Sequence, residues 1–480
     1  MNNIVKNFNP KELWHWFSEI SKIPRGTYKE EKVMSFIAEF ARTRNLSYSQ
    51  DKIGNILIKK TAQHSDSKNI IILQAHSDMV WTKSADSNFD FETQSIEFVL
   101  DGDWLKANKT TLGADNGIGL ASILAILDDK EISHPQIEAL ITVSEEQGLD
   151  GAYGLDLPLK GESLINLDTE DIRCITIGSA GGFDYDLECS YSEVSPRVGN
   201  DKAYSIHIYD ASGGHSGVDI NKNRLNAIKI SGRILYNILQ KVHFCLAEIN
   251  SKGARNAISS QSSFTILINP QDTEILKQTL EQITKEIKEE FSISDPKLKI
   301  TLKEIEKPIK VIEPEFKQKL IKAIYSCPVG VLKINQSSGL VESSSNIGSL
   351  EVKNTNARVI SLQRSSSLSS LLDVAHQFSS VFELAGFRVK KESYYNSWKP
   401  NYSSDLLKKA QETYLKVFRE KPIVEDIHAG LESAIIDKDN KMDKISIGPT
   451  IIEPHSPQEA VNIPSVEKYY NFLLALLKSL

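Results

Sequence analysis

The chain has 480 residues, 63 acidic and 56 basic side chains, and a formal charge of −7. With 40% hydrophobic and 25% charged residues it has the composition of a soluble globular protein, and no run approaches the roughly 18 consecutive apolar residues of a membrane span. The mild acidity argues against nucleic-acid binding, and at roughly 100–200 residues per domain the length suggests two to four domains.

The opening segment, MNNIVKNFNPKELWHW, lacks a long apolar run and does not read as a secretory signal. Within it, Asn9-Pro10-Lys11-Glu12 reads as a helix start, with Asn9 as N-cap and proline in the first position, and predicts a helix to about Ser21. A second helix is expected over 29–43, then strands at 55–60 and 69–74. The second strand, NIIILQ, is the continuous apolar run of a strand buried on both faces. A glycine-containing turn at 112–117 leads into an apolar helix, 118–127. Buried strands follow at 137–143, ending in Ser144-Glu145-Glu146, and at 163–167, ending in Asp168-Thr169-Glu170. Strands alternating with helices predict an α/β sheet with a substantial parallel part. Polar residues just past strand C-termini are where such sheets bind ligands.

Beyond the glycine-rich 178–182 the pattern changes. Strands near 205–209, 264–268, 297–304, 359–363 and 387–391 are interleaved with helices near 224–239 and 368–385. Another helix carries Leu276, Leu280, Ile283, Ile287 and Phe291 as one apolar stripe. This stretch reads as a separate α+β unit over 184–393, and Trp398-Lys399-Pro400-Asn401 marks the return to the first domain. A helix near 404–418, two short strands and a terminal helix, 465–480, complete the chain. The expected division is therefore 1–183 and 394–480 as two parts of one domain, with 184–393 inserted.

Cys174, Cys189, Cys245 and Cys327 form no CxxC pair, so reduced thiols in a cytosolic protein are expected and any metal falls to His, Asp and Glu. His76 and Asp78, two apart after a strand, share a face if the extended geometry persists; a carboxylate commonly fixes the second nitrogen of a ligating histidine, and a satisfied structural histidine is the equal alternative. Asp115 lies in a glycine-rich turn that lacks the Lys-Ser/Thr of a phosphate cradle; the acid suits a cation there, or simply caps the helix. Glu145 and Glu146 point in different directions, so one can ligate metal while the other reaches a water, although taken alone a bare acidic pair reads as a solvated loop. Asp168 repeats the acid at a strand end. His215, set between glycines in GGHSG, sits in an exposed turn, and His455 in PHSP sits in a rigid loop. Together His76, Asp115, Glu146, Asp168 and His455 supply nitrogen and oxygen donors from five loops, enough for two sets sharing one carboxylate. Zinc suits such donors, with manganese or cobalt as substitutes.

These motifs resemble the dinuclear-zinc aminoacylase/carboxypeptidase metallopeptidase family, and within it the Xaa-His (aminoacyl-histidine) dipeptidases. The resemblance is carried in order, nearly end to end, by ISKIPR at 20–25, LQAHSDMVW at 73–81, TTLGADNGIGLA at 110–121, SEEQGLDGA at 144–152, LINLDTED at 164–171, GGHSG at 213–217, ARNAI at 254–258, GLVESSSNIG at 339–348, HAGLE at 428–432 and GPTIIEPHSP at 448–457. It implies a zinc-peptidase-like α/β catalytic domain with a mixed, largely parallel sheet, interrupted by an inserted α+β lid domain. It also implies two zinc ions per chain, one on His455 and Glu146, one on His76 and Asp168, with Asp115 bridging. Glu145 would be the general base, Asp78 would orient His76, and His215 would reach the scissile carbonyl from the lid. Asn256, Arg364 and Glu432 match lid and rim positions that hold the substrate termini, Arg364 the carboxylate and Glu432 the ammonium. The implied activity is cytoplasmic hydrolysis of unblocked dipeptides, Xaa-His included, with no nucleic-acid or membrane partner; the family alone suggests a homodimer through the lid domain. The alternatives are an aminoacylase or aminopeptidase of the same chemistry, or an inactive homologue that binds without cleaving. The chain departs from the family's pattern at Ser259-Ser260-Gln261, where Pro-Arg-Glu is usual, and at Ser366-Ser367-Leu368-Ser369, where an acid is usual.

Overall fold

The apolar run Ile70–His76 forms a central strand of an eight-stranded sheet in the computed structural model, which describes residues 3–196, 201–336, 339–437 and 439–480. Every residue of that strand but Ile70 is buried. It pairs in parallel with Gln136–Thr142 on one side and Ser163–Asn166 on the other, and Asp443–Ser446 extends the parallel set. Antiparallel strands flank this core: Ser47–Gln50 and Ile56–Lys60 beyond one edge and Cys174–Ser179 beyond the other; Ile423–Ile427 is the outermost strand on that second side. The expected α/β sheet is thus mixed, with its parallel part at the centre. Strands there are covered on both faces, which is why they read as unbroken apolar runs.

The helix Ala114–Asp128 is buried along its whole length up to Leu127 and packs against the Ile70–His76 strand and the first helix. An apolar residue at nearly every position is what such burial requires. The first helix differs from expectation. It runs Lys11–Ile20 with Pro10 as N-cap, because Pro10 is extended (φ −73°, ψ 136°) and its carbonyl accepts the first helical N–H, from Trp14. Asn9 makes no side-chain cap; its carbonyl instead accepts the Trp14 indole N–H at 3.0 Å.

The chain divides into two units, Met1–Ser179 with Trp398–Asp426 and Leu431–Leu480, and Ala180–Ser397 with Ile427–Gly430. The second unit holds its own nine-stranded sheet, in which every pairing is antiparallel, and its own apolar core. Helices Ala227–Leu239, Thr273–Glu290, Pro314–Ser326 and Leu368–Leu384 belong to it. The stripe Leu276, Leu280, Ile283 and Ile287 is buried, and Phe291 ends its helix as the C-cap. The helix expected from residue 224 begins at Ala227, because the Asn226 side chain accepts the N–H groups of Ile228 at 3.0 Å and Lys229 at 3.3 Å.

Candidate metal centre

Parallel strands all present their C-terminal ends on one side, and that is where this chain concentrates its acids. His76 ends its strand opposite Thr142, so Glu145 and Glu146 stand three and four residues past the neighbouring strand end. Asn166 lies opposite Gln74, which places Asp168 just beyond the third strand. The turn before Ala114–Asp128 supplies Asp115. Gly113 takes a left-handed conformation there (φ +70°), and Asp115 and Asn116 keep non-helical angles inside the helix start. His455 comes from the loop before the short strand Ala460–Asn462.

Two groups of donors result. His76, Asp115 and Asp168 offer one set of ligand atoms, and Asp115, Glu146 and His455 another, each set within 4.8 Å of one another. His76 Nε2 lies 3.2 Å from Asp115 Oδ1, 3.5 Å from Asp168 Oδ1 and 4.0 Å from Glu145 Oε2. His455 Nε2 lies 3.0 Å from Asp115 Oδ2 and 2.9 Å from Glu146 Oε2. The two oxygens of Asp115 thus face different groups. Asp78 stands behind them: its Oδ1 is 3.3 Å from His76 Nδ1 and accepts the Glu145 N–H at 3.1 Å, while Oδ2 accepts the Glu146 N–H at 3.2 Å and the Thr27 hydroxyl at 3.0 Å. Asn116 donates to the Leu167 carbonyl at 2.9 Å and to Asp168.

The electrostatics show what such a gathering needs. Burial pushes the Glu145 carboxyl well above its ordinary value, against the pull of His76. Burial and the Asp115 charge push Glu146 up to about 7, against the pull of His455. Burial also raises Asp168. For Asp115 burial again opposes ionisation, but hydrogen bonds from His455 and His76 outweigh it and hold the carboxyl low. Buried carboxylates of one sign call for cations, and imidazole nitrogens with carboxylate oxygens are donors for borderline or hard divalent metals. The residues present fit a pair of such ions.

A polar rung runs across the sheet two residues below this layer. Glu432 accepts from Gln74 Nε2 at 2.5 Å and from the Thr142 hydroxyl at 2.7 Å. Gln74 Oε1 accepts from Asn166 at 2.6 Å, and Asn166 in turn accepts from the Ser446 hydroxyl. Glu432, expected on the rim, is only 1% exposed, and burial pushes its carboxyl up to about 8 against the pull of His76. The other expected substrate residues lie in the second unit. His215 Nδ1 accepts the N–H groups of Gly217 and Val218, each at 3.2 Å. Asn256 is exposed, with its carbonyl accepting the Ser216 N–H at 2.7 Å. Arg364 is buried and donates to the Tyr395 hydroxyl at 2.6 Å.

Two residues that carry the site were missed by the sequence reading. Arg25 and Glu459 are 1% and 2% exposed and bind the backbone of the turn that leads into Asp115. A lone charge in a loop gives no sign of burial. The one available signal was the Gly113–Gly117 spacing: a Cβ at either glycine would stand 2.5 or 2.7 Å from Arg25 Nη2.

A carboxylate–imidazole cluster at the C-terminal edge of a parallel sheet defines a metal-dependent hydrolase. The chain belongs to Peptidase family M20/M25/M40, whose profile it matches over residues 72–479. It is 34% identical over 480 residues to the cytosol non-specific dipeptidase of Escherichia coli (strain K12), covering 99% of each chain. The crystal structure of aminoacylhistidine dipeptidase from Vibrio alginolyticus is also 34% identical, with a TM-score of 0.86 over 99% of this chain and 98% of that one. Aminopeptidase PepT from Bacillus cereus ATCC 10987, 15% identical over 98% of each chain, shares the fold at a TM-score of 0.60.

Proposed function

We propose that this chain is a two-zinc dipeptidase that hydrolyses unblocked dipeptides, Xaa-His among them. The carrying observation is the pair of three-donor groups that share Asp115. The names of the two 34%-identical relatives support the choice of dipeptides as substrate. Zinc is the proposed metal because it suits mixed imidazole and carboxylate donors, with manganese or cobalt able to substitute.

In this reading His76 and Asp168 would hold one ion and His455 and Glu146 the other, with Asp115 offered to both. Bound metal supplies Lewis acidity toward the scissile carbonyl and brings the pKa of water near neutrality. Glu145, whose buried carboxyl favours a proton, takes one from the attacking water and delivers it to the leaving amine. Asp78 fixes the tautomer and orientation of His76 and pins the backbone of Glu145 and Glu146. The second unit is the proposed lid and dimerisation domain. From it His215 stabilises the oxyanion, Asn256 helps to hold the substrate and Arg364 holds its carboxylate, while Glu432 of the first unit pairs with its ammonium. The departures at 259–261 and 366–369 fall in the second unit and bear on substrate choice rather than on the metal ligands.

A cytoplasmic location is proposed from the name of the Escherichia coli relative; among the described residues no helix is long and apolar enough to cross a membrane. A dipeptide-library assay with zinc, manganese and cobalt tests the activity. Hydrolysis of unblocked dipeptides is expected, and cleavage of acylated amino acids alone would overturn the reading in favour of an aminoacylase. Light scattering tests the homodimer, which a monomeric mass would refute.

A further inference from the structure

The turn that presents Asp115 is gripped by two buried, opposite charges that the proposed chemistry does not use. Arg25 donates from Nη1 to the carbonyl oxygens of Ser77 at 3.1 Å and Asp78 at 3.0 Å, and from Nη2 to that of Gly113. Glu459 accepts through Oε2 the N–H groups of Leu112 at 2.8 Å and Gly113 at 3.0 Å. Through Oε1 it accepts those of Ala114 at 2.7 Å and Asp115 at 3.3 Å. The cation therefore meets carbonyls and the anion meets N–H groups, with Gly113 offering one of each. The anion is solvated by the peptide dipoles of one turn and the cation by carbonyls of that turn and of the Ser77-Asp78 segment, a costly arrangement to bury unless the two must be held still.

The sequence positions show what is being joined. Arg25 ties the Asp115 turn to the segment that carries His76 and Asp78, and the Met79 N–H donates back to the Arg25 carbonyl at 3.0 Å. Glu459 follows His455 in the same loop and ties that loop to the same turn. Asp78 in turn holds Glu145 and Glu146, and Asn116 reaches Asp168. Every proposed ligand is thus referred to the one turn whose aspartate belongs to both donor groups.

We propose that Arg25 and Glu459 are positioning residues that set the Asp115 carboxylate between the two ligand groups. The proposal rests on the metal-site reading above. Neither side chain is a ligand; Glu459 acts through the backbone N–H of Asp115 and of the three residues before it, and Arg25 through the carbonyls of Gly113, Ser77 and Asp78.

The test uses the full chain and zinc alone, by competition with a chelator, together with the visible spectrum of the cobalt-loaded protein, in Arg25→Lys and Glu459→Gln. Lysine cannot reproduce the fork across three carbonyls, and glutamine turns a donor toward N–H groups that need an acceptor. Zinc binding should weaken by about 10–100-fold, with an altered cobalt spectrum, under conditions where circular dichroism shows folded protein. Glu459→Asp, which keeps the charge on a shorter stem, should weaken binding in the same direction and guards against loss of folding. Folded variants with wild-type affinity and spectrum would overturn the proposal and leave the metal site standing. A wild-type chain that bound no zinc would overturn both. Unfolding of every variant, metal-free, would make the pair a general stabiliser and overturn the proposal too.

Discussion

Replacing Asp78 by asparagine removes a charge from a buried position while keeping its shape. The carboxylate accepts the N–H groups of Glu145 and Glu146 at 3.1 and 3.2 Å and the Thr27 hydroxyl at 3.0 Å, and stands 3.3 Å from His76 Nδ1. A hydrogen bond to a charged group is worth about 1.5–3 kcal/mol net, and a neutral one about 0.5–1.5 kcal/mol. Downgrading three such bonds costs about 3 kcal/mol, a large share of the roughly 5–15 kcal/mol that holds a domain folded. Loss of the carboxylate behind a ligating histidine should also weaken metal binding by about 10–100-fold. Urea denaturation of the metal-free chain reads the first effect, and zinc titration against a chelator the second. The pH dependence has a definite sign. Burial opposes the Asp78 charge, but its hydrogen bond and charge interaction with His76 and the two backbone N–H groups hold the carboxyl below its ordinary 3.8. A depressed carboxyl stabilises the fold above its unfolded value and loses that contribution as pH falls through the folded value. The gap between wild type and variant should therefore close below pH 3.8. A variant within about 0.5 kcal/mol of wild type, with unchanged zinc affinity, would refute the reasoning.

Glu145→Gln should lower kcat at least about 100-fold while zinc remains bound, as a general base requires; a variant that also lost its zinc would make Glu145 a ligand. Chelation should abolish hydrolysis, and zinc, manganese or cobalt should restore it. In the metal-free chain burial works against a charge on His76, yet the Asp168 charge and hydrogen bonds that the ring donates to Asp115, Asp168 and Asp78 raise its pKa well above 6.5. Zinc must displace that proton, so affinity should rise with pH; a flat profile in calorimetric titrations across neutral pH would count against this. Gly113→Ala forces a side chain into φ +70° and sets its Cβ 2.5 Å from Arg25 Nη2, and should cost about 2 kcal/mol or more in denaturant unfolding. Glu432→Gln should raise KM for unblocked dipeptides about tenfold, as loss of one charged contact would; an unchanged KM would leave Glu432 as an anchor for Gln74 and Thr142 only.

Much of the fold was legible because parallel strands covered on both faces cannot hide their composition. The runs at 69–74, 137–143 and 163–167 announce themselves, and so do acids at their ends, since polar residues directly after a buried strand have only the sheet edge to occupy. His455 is less legible, because a histidine between two prolines looks like any surface turn until the fold returns it to Asp115. Arg25 and Glu459 were the least legible. Their partners are backbone atoms, which leave no pattern of side chains, and a buried charge solvated by peptides is spelled like an exposed one. The burial of Glu432 was hidden for the same reason: it depends on Gln74 and Thr142, far away in sequence. The cap expected at Asn9 falls at Pro10 and the helix expected from 224 begins at Ala227, because the first helical N–H partners decide the boundary.

Asp115 and His455 are separated by 340 residues, and the whole of Ala180–Ser397 is made between them. At roughly 5–20 residues per second, a ribosome takes about 17–70 s to travel that distance. During that interval the growing chain already carries His76, Asp115 and Asp168 but has no His455 and no Glu459 to steady the turn. The second donor group closes only once the loop that carries His455 has emerged. A hydrolase built this way cannot be armed before that loop is made, and a product interrupted before His455 carries only one of the two donor groups intact.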